Sequence, residues 1–349
     1  MASPSYDAII APIVAAIDAE MRAIRAEQRP VAPLLWAIVD HQFGWDLPAE
    51  AADEARRVGG KKIRPLLMAL VAQAVGGDYR PVLPAAAALE MLHNFTLIHD
   101  DVMDRSAERR HRPAVWTRWG TAQAINAGDG LYALSNIAVT RLLRGGVPAH
   151  KVVRAAQVLS QACLWTCEGQ VLDIDFETRE DVSPDEYLTM IAHKSGTLIE
   201  AAAQIGALIS TDDEAVIAAY AEFARSLGVA FQIRDDALGI WGQEALTGKS
   251  ATSDLRDKKK SYPVLVAFAR AAPNDRVMLQ SLYAREALDD EAITAVLDIL
   301  ARVDAAGETE RVAQAHYERA LAALDRTGVH NATQDIIRRL AEFLIRRVY

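Results

Sequence analysis

The residues best suited to chemistry lie in two aspartate-rich stretches. One reads Phe95-Thr96-Leu97-Ile98-His99-Asp100-Asp101-Val102-Met103-Asp104, the other Phe231-Gln232-Ile233-Arg234-Asp235-Asp236-Ala237-Leu238-Gly239. Each ends an apolar run at helical period, so each helix delivers carboxylates into its own buried end. That is costly unless a cation or a partner neutralises them. Asp100 and Asp104 are four apart and share a helix face, where like charges repel by about 0.3 kcal/mol. A shared Mg²⁺ would turn that repulsion into coordination, because this hard cation prefers carboxylate, water and phosphate oxygens. Two such helices predict one site where carboxylates face each other across a cavity, suited to divalent metal and a phosphorylated ligand.

Other polar groups fall in step with these blocks. A DDxxD alone is most often a solvated helix end, but the Leu97-Ile98-His99 lead-in argues against solvation here. His93 lies two turns before Asp100 on nearly the same face. Gln232, Asp235 and Asp236 share a face through three- and four-residue spacings, and Gln170 with Asp173 forms another polar pair inside an apolar helix. Buried polar groups need partners, so three helices presenting them predict a common centre. Cys163 and Cys167 sit on the Gln170 face, where they serve as packing.

Basic residues are clustered although the chain is acidic. In Gly59-Gly60-Lys61-Lys62-Ile63-Arg64-Pro65 the glycines let backbone approach an anion, and Lys61 and Arg64 stand at a helix start, where the dipole favours negative charge. Arg109 and Arg110 can cover a phosphate from the other side. In Lys194-Ser195-Gly196 the glycine interrupts good helical sequence at a cost of about 1 kcal/mol, which predicts a local irregularity exposing Lys194 and Ser195. Each signal is weak alone because surface Lys and Arg are common; their coincidence is not weak.

The elements that must position these groups are helices. Helical periodicity covers about 4–27, 66–76, 84–104, 117–143, a helix reaching about 175, 183–210 and 211–239, with charged amphipathic segments beyond 260. Ser183-Pro184-Asp185-Glu186 reads as a capping sequence. No segment reads as a strand, linker or fixed-period repeat. The predicted fold is all-α, a single-domain helical bundle around a central cavity, with a motif-bearing core over about 55–265 and outer charged helices over about 266–349. The 349 residues are 51% apolar but only 6% aromatic, which favours helices over strands. A net charge of −9 excludes a general nucleic-acid binder. Two cysteines one helical turn apart read as reduced thiols. With no apolar run long enough for a membrane span and no signal peptide, a cytoplasmic protein is expected.

Taken together, these motifs resemble the trans-acting polyprenyl (isoprenyl diphosphate) synthase family. GGKKIRP is similar to that family's GGKRxRP, and MLHNFTLIHDDVMD to its first aspartate-rich helix. RRHRP resembles RRGRP, EGQVLDID resembles GQxxD, HKSGTLI its KT motif, and FQIRDDALGIWG its second aspartate-rich helix, followed by TGKSATSDLRDKKKSYP for a closing loop and lysines. The resemblance implies an enzyme joining isopentenyl diphosphate head-to-tail to an allylic diphosphate, and a homodimer. It implies that Asp100 and Asp104 hold two Mg²⁺ and Asp235 a third, with Mn²⁺ an acceptable substitute. Arg109, Lys194 and Lys259 would clasp the allylic diphosphate, with Ser195 where Thr is common. Lys61, Arg64, His93 and Arg110 would bind isopentenyl diphosphate, Gln232 would join the metal shell and Lys249 would help close the site.

The chemistry suits those residue types. Ionising an allylic diphosphate creates a carbocation and a departing polyanion, so catalysis means stabilising charge on the leaving group. Water must be excluded, because it would quench the cation. Gly239 stands where many members have Asp, which implies weaker metal dependence on that side, and His111 replaces the glycine of RRGRP. Phe95 and Thr96, five and four residues before Asp100, occupy the family's chain-length positions, and small Thr96 leaves room for a C20 product, with C15 next and C25 or longer behind. A terpene cyclase would lose the isopentenyl pocket, a non-catalytic partner subunit an aspartate block; this sequence keeps both.

Overall fold

The computed structural model describes residues 6–29, 31–51, 54, 58–60, 62–242 and 252–345; Lys61 and Lys249 lie outside them. Nearly all of this is helix, as the composition predicts. Packing divides the chain into two compact units. The first comprises Met1–Ser160, Ala201–Ile217 and Val329–Ile336, the second Gln161–Glu200, Ala218–Gly328 and Ile337–Tyr349. Their segments interleave along the chain, so no single cut of the sequence separates them.

In the first unit, helix Leu83–Met103 is central and packs most extensively on Thr121–Thr140, then on Tyr6–Ala26 and Ile63–Gly76. Its run Ala85–Ala88 is enclosed and carries nothing beyond Cβ, which lets neighbouring helices approach closely. From Tyr6–Ala26, Ile17, Met21 and Ile24 fall at successive turns and are buried, each stabilising the unit by roughly 1.5–3 kcal/mol. The predicted helix over 117–143 is broken at Gly120, whose φ of +82° separates Val115–Trp119 from Thr121–Thr140. The chain also has strands where none was expected: Glu108–Arg109 pairs antiparallel with Arg112–Pro113.

In the second unit, helix Tyr262–Arg270 packs against Ala305–Arg326, Pro184–Ile191 and Asp290–Arg302. Ile233, Leu255, Val264, Val296 and Ile299 form its enclosed core. Ser183 caps its helix as predicted, accepting from Glu186 N at 3.2 Å while Glu186 Oε2 accepts from Ser183 N at 2.9 Å. Helix Glu214–Trp241 is capped by Asp213, whose Oδ1 accepts from Ala215 N at 2.9 Å. The predicted helix over 183–210 contains one π-helical turn, Ala192–Gly196.

One sequence expectation is corrected. Two segments, Arg80–Met103 and Glu214–Trp241, are long and apolar enough to cross a membrane, although none was foreseen. Their most apolar windows are 61% buried within the protein, so packing accounts for their composition without lipid. These are the two helices that carry the aspartate blocks.

Candidate active site

The aspartates at the end of Leu83–Met103 are not equivalent. Asp101 is buried and accepts from Arg109 Nε at 2.8 Å and Nη2 at 2.5 Å. Burial pushes its carboxyl upward, and Arg109 pulls it back. Asp100 accepts from Arg109 Nη2 at 3.3 Å with its side chain 21% exposed, and Asp104 is exposed at the helix C-cap. Burial alone would lower the Arg109 pKa; hydrogen bonds and charge from Asp101 and Asp100 raise it instead. The spacing thus puts Asp100 and Asp104 at the accessible end and assigns Asp101 to Arg109.

The basic residues of the first unit gather around the same helix. Arg64 Nη1 lies 3.2 Å from His93 Nε2, and burial holds the His93 pKa well below its usual value, with Arg64 and Arg110 adding to the shift. A neutral His93 can accept from Arg64 and still offer its other ring nitrogen to an anion. Arg110 Nη1 donates to Val58 O at 2.6 Å. Its guanidinium lies so near Gly60, where φ is +73°, that a Cβ there would stand 2.7 Å from Cζ. Arg110 and His111 are the two central residues of the Glu108–Pro113 hairpin, with φ of +54° and +62°. Such a turn favours glycine or asparagine, so His111 is strained but the hairpin is made. Arg112 ties it down through Asp46 at 2.9 Å and His41 O at 3.0 Å.

The chain-length positions diverge. Phe95 packs edge-on against His99 at 4.9 Å and tilts onto Tyr132 at 5.5 Å between ring centroids, within the contact of Leu83–Met103 with Thr121–Thr140. His99 Nε2 meets Ile125 O at 3.1 Å, an approach that Gly128 permits because a Cβ there would be 2.2 Å from the ring. Thr96 Oγ1 donates to His93 O at 2.8 Å, which fixes the small side chain against its own helix.

In the second unit the π-helical turn Ala192–Gly196 carries Lys194 and Ser195. A π-turn inserts an extra residue into the helix and re-aims its side chains. Lys194 Nζ donates to Asp173 Oδ2 at 2.5 Å, and Ser195 Oγ to Gln232 Oε1 at 2.8 Å. The turn presses on Gly169, where a Cβ would lie 2.3 Å from Lys194 N, and on Gly228, where one would lie 2.8 Å from Gly196 Cα. Gln170 Nε2 is buried without a hydrogen-bond partner among the described residues.

Asp235 and Asp236 differ in burial as Asp100 and Asp101 do, and Gln232 bonds the buried member. Asp236 is buried; it accepts from Tyr187 OH at 2.6 Å, Tyr262 N at 3.1 Å and Gln232 Nε2 at 3.2 Å. Burial pushes its carboxyl up to about 7 against the pull of those three donors. Asp235 is exposed. One turn on, a Cβ at Gly239 would meet Asp254 Oδ2 at 2.0 Å, and Lys259 Nζ lies 3.6 Å from Asp254 Oδ1.

Among the described residues, no three His, Cys, Asp or Glu side chains are close enough to hold a metal by themselves. Each unit instead offers one or two accessible carboxylates beside a lysine or arginine. That donor set fits Mg²⁺, which is bound through few carboxylates and completes its shell with water and phosphate oxygens. Sequence reasoning missed Glu90, Asn94, Tyr187, Tyr262 and Asp254. Only Glu90, a lone acid in an apolar run, carried a signal that could have found it.

The chain matches a family described as polyprenyl synthetase over residues 47–300. It is 45% identical over 217 residues to a geranylgeranyl diphosphate synthase of Methanosarcina mazei, covering 62% of this chain and 66% of the relative, just under two thirds of it. It is 38% identical over 308 residues to a geranylgeranyl diphosphate synthase of Mycobacterium tuberculosis, covering 87% and 84%. A polyprenyl synthase from Caulobacter crescentus, solved with calcium and isoprenyl diphosphate, superposes with a TM-score of 0.79 at 29% identity, covering all of both chains (100% each).

Proposed function

The chain belongs to the polyprenyl synthetase family, and on that footing we propose that it is a Mg²⁺-dependent head-to-tail prenyltransferase making geranylgeranyl diphosphate from isopentenyl diphosphate and an allylic diphosphate. The observation that carries the reading is the division of labour within each aspartate pair. One member is buried and bonded, by Arg109 at Asp101 and by Tyr187, Gln232 and the Tyr262 amide at Asp236; the other stays accessible.

Asp100, Asp104 and Asp235 would hold three Mg²⁺. The chemistry Mg²⁺ supplies when bound is neutralisation of charge building on the departing pyrophosphate, and each ~1.4 kcal/mol so gained is tenfold in rate. Arg109, Lys194 and Lys259 donate to the allylic diphosphate, Arg109 and Lys194 turning from the carboxylates they now engage. Ser195 holds Gln232, and Gln232 holds Asp236 and would join the metal shell. Lys61, Arg64, His93 and Arg110 bind the isopentenyl diphosphate and aim its double bond at the allylic carbon. The proton lost after coupling goes to the released pyrophosphate. Lys249 acts in closing the site.

Phe95 at the Tyr132 contact supports a C20 limit. A homodimer belongs to the same reading, supported by exposed Ile125, Tyr132 and Ile137 on Thr121–Thr140. So does a cytoplasmic setting, supported by the free thiols of Cys163 and Cys167.

The test is mass spectrometry of products from purified protein, Mg²⁺, isopentenyl diphosphate and each allylic primer in turn, with and without EDTA. A C20 diphosphate that vanishes with EDTA is expected. A C15 or C25 product would sink only the length assignment, and no elongation with any primer would sink the synthase reading.

A further inference from the structure

Glu90 sits in the middle of the apolar helix Leu83–Met103, 2% exposed, between the fully enclosed Leu89 and Met91. A carboxylate there needs both bonds and countercharge. The bonds come from a buried relay: Gln42 Nε2 donates to Asn94 Oδ1 at 3.1 Å, and Asn94 Nδ2 donates to Glu90 Oε1 at 3.0 Å. Asn94 donates to Glu90 O as well, at 2.9 Å, so its amide is locked. This relay fixes where the carboxylate points but brings no charge.

The countercharge lies on the His93 side. His93 is three residues along the same helix face, and Arg64 is hydrogen-bonded to it. Arg110 is pinned by Val58 O and packed on Gly60. Lys62 Nζ stands 3.3 Å from Asp18 Oδ1 with its side chain nearly enclosed. Burial pushes the Glu90 carboxyl above its usual range, and the charges of Lys62, Arg110 and Arg64 oppose that push. For both arginines burial is the largest influence and disfavours charge, and Glu90 is the first attractive charge opposing it. Buried guanidinium groups cannot shed their protons and therefore need an anion nearby.

We propose that Glu90 is a positioning residue, the built-in counter-anion of the isopentenyl diphosphate pocket, which holds Arg64 and Arg110 together until a diphosphate takes over their neutralisation. This rests on the assignment of those arginines to isopentenyl diphosphate made above. A purely structural acid would matter equally with the pocket empty or filled. A counter-anion matters most when it is empty.

The experiment compares thermal unfolding of the full chain and its Glu90→Gln variant, each with and without saturating isopentenyl diphosphate in EDTA. Glutamine keeps the shape and the acceptor for Asn94 but removes the charge. Without ligand the variant should melt about 5–10 °C below the wild type, and isopentenyl diphosphate should close more than half of that gap. A gap that is absent, or the same with and without ligand, would overturn the proposal. If the variant does not fold alone, refolding from urea decides: recovery only with isopentenyl diphosphate supports the counter-anion, and no recovery either way overturns it. A wild type that isopentenyl diphosphate does not stabilise would overturn the pocket assignment and this inference with it. A stabilised wild type with an unchanged gap would overturn the inference alone.

Discussion

The carboxylate of Asp254 lies over the α-carbon of Gly239, where an added Cβ would stand 2.0 Å from Oδ2 and 2.4 Å from Cγ. Gly239 therefore has a packing reason to lack a side chain, beyond being a gap in an aspartate motif. Asp254 brings a carboxylate to the helix face one turn beyond Asp235. Gly239→Ala should cost about 1–3 kcal/mol through overlap, although alanine is the better helix former by about 1 kcal/mol. In an Asp254→Ala background that cost should vanish or change sign. Urea unfolding of the four proteins in this cycle measures the coupling, and additive effects would refute the contact.

The hairpin carrying Arg109 and Arg110 is built with strain. His111 adopts φ of +62°, which glycine adopts freely and other residues at a cost of about 1–2 kcal/mol. His111→Gly should raise stability by about 0.5–1 kcal/mol, the gain being reduced by glycine's greater freedom when unfolded. The denaturant midpoint reads this directly, and a loss of stability would show that the imidazole makes a compensating interaction.

Gly169 faces the backbone of the π-turn, and a backbone cannot step aside as a side-chain tip can. Gly169→Ala puts a Cβ 2.3 Å from Lys194 N and 2.7 Å from its Cα. Displacing Lys194 by about an ångström should reduce turnover about 100-fold. Steady-state kinetics with near-normal circular dichroism would separate this from unfolding; turnover within threefold of wild type would mean that Lys194 needs no such placement.

Phe95 and Tyr132 should limit product length together, being in ring contact at 5.5 Å. Phe95→Ala should shift the product from C20 to C25 or longer, and Tyr132→Ala should shift it the same way with smaller yield. Chromatography of the dephosphorylated prenyl alcohols gives the answer. A C20 product from both variants would place the limit elsewhere.

His316 gives stability a pH dependence away from the site. Burial, with Arg319 beside it, holds its pKa down to about 4, against an ordinary 6.5. Between those values the unfolded chain takes up a proton that the folded chain refuses. Stability attributable to His316 is thus full above pH 6.5 and is lost as pH falls toward 4, by roughly 2 kcal/mol after allowing for partial exposure. His316→Gln should flatten melting temperature against pH across that window; an unchanged slope would assign the effect to other groups.

Much of the fold and part of the site were legible in the sequence because helices are local. The periodicity around Ile17, Met21 and Ile24, the Ser183 capping box and the four-residue spacing of Asp100 and Asp104 each depend on residues within a turn or two. Gly196 even marked the irregularity that proved to be a π-turn, since a glycine in a good helix is a cost with a cause. What the chain order could not contain was contact between segments far apart. That Asp101 rather than Asp100 is buried against Arg109, that Tyr187 and the Tyr262 amide claim Asp236, and that Asp254 fills the space over Gly239 depend on partners 8 to 49 residues away. The 108–113 hairpin was missed for the same reason: Arg112 holds it through Asp46, 66 residues earlier. Residue types and spacings determine which groups can carry chemistry. Only the tertiary structure decides which of them are spent on holding the others in place, because burial and countercharge are set by whatever the rest of the chain brings alongside.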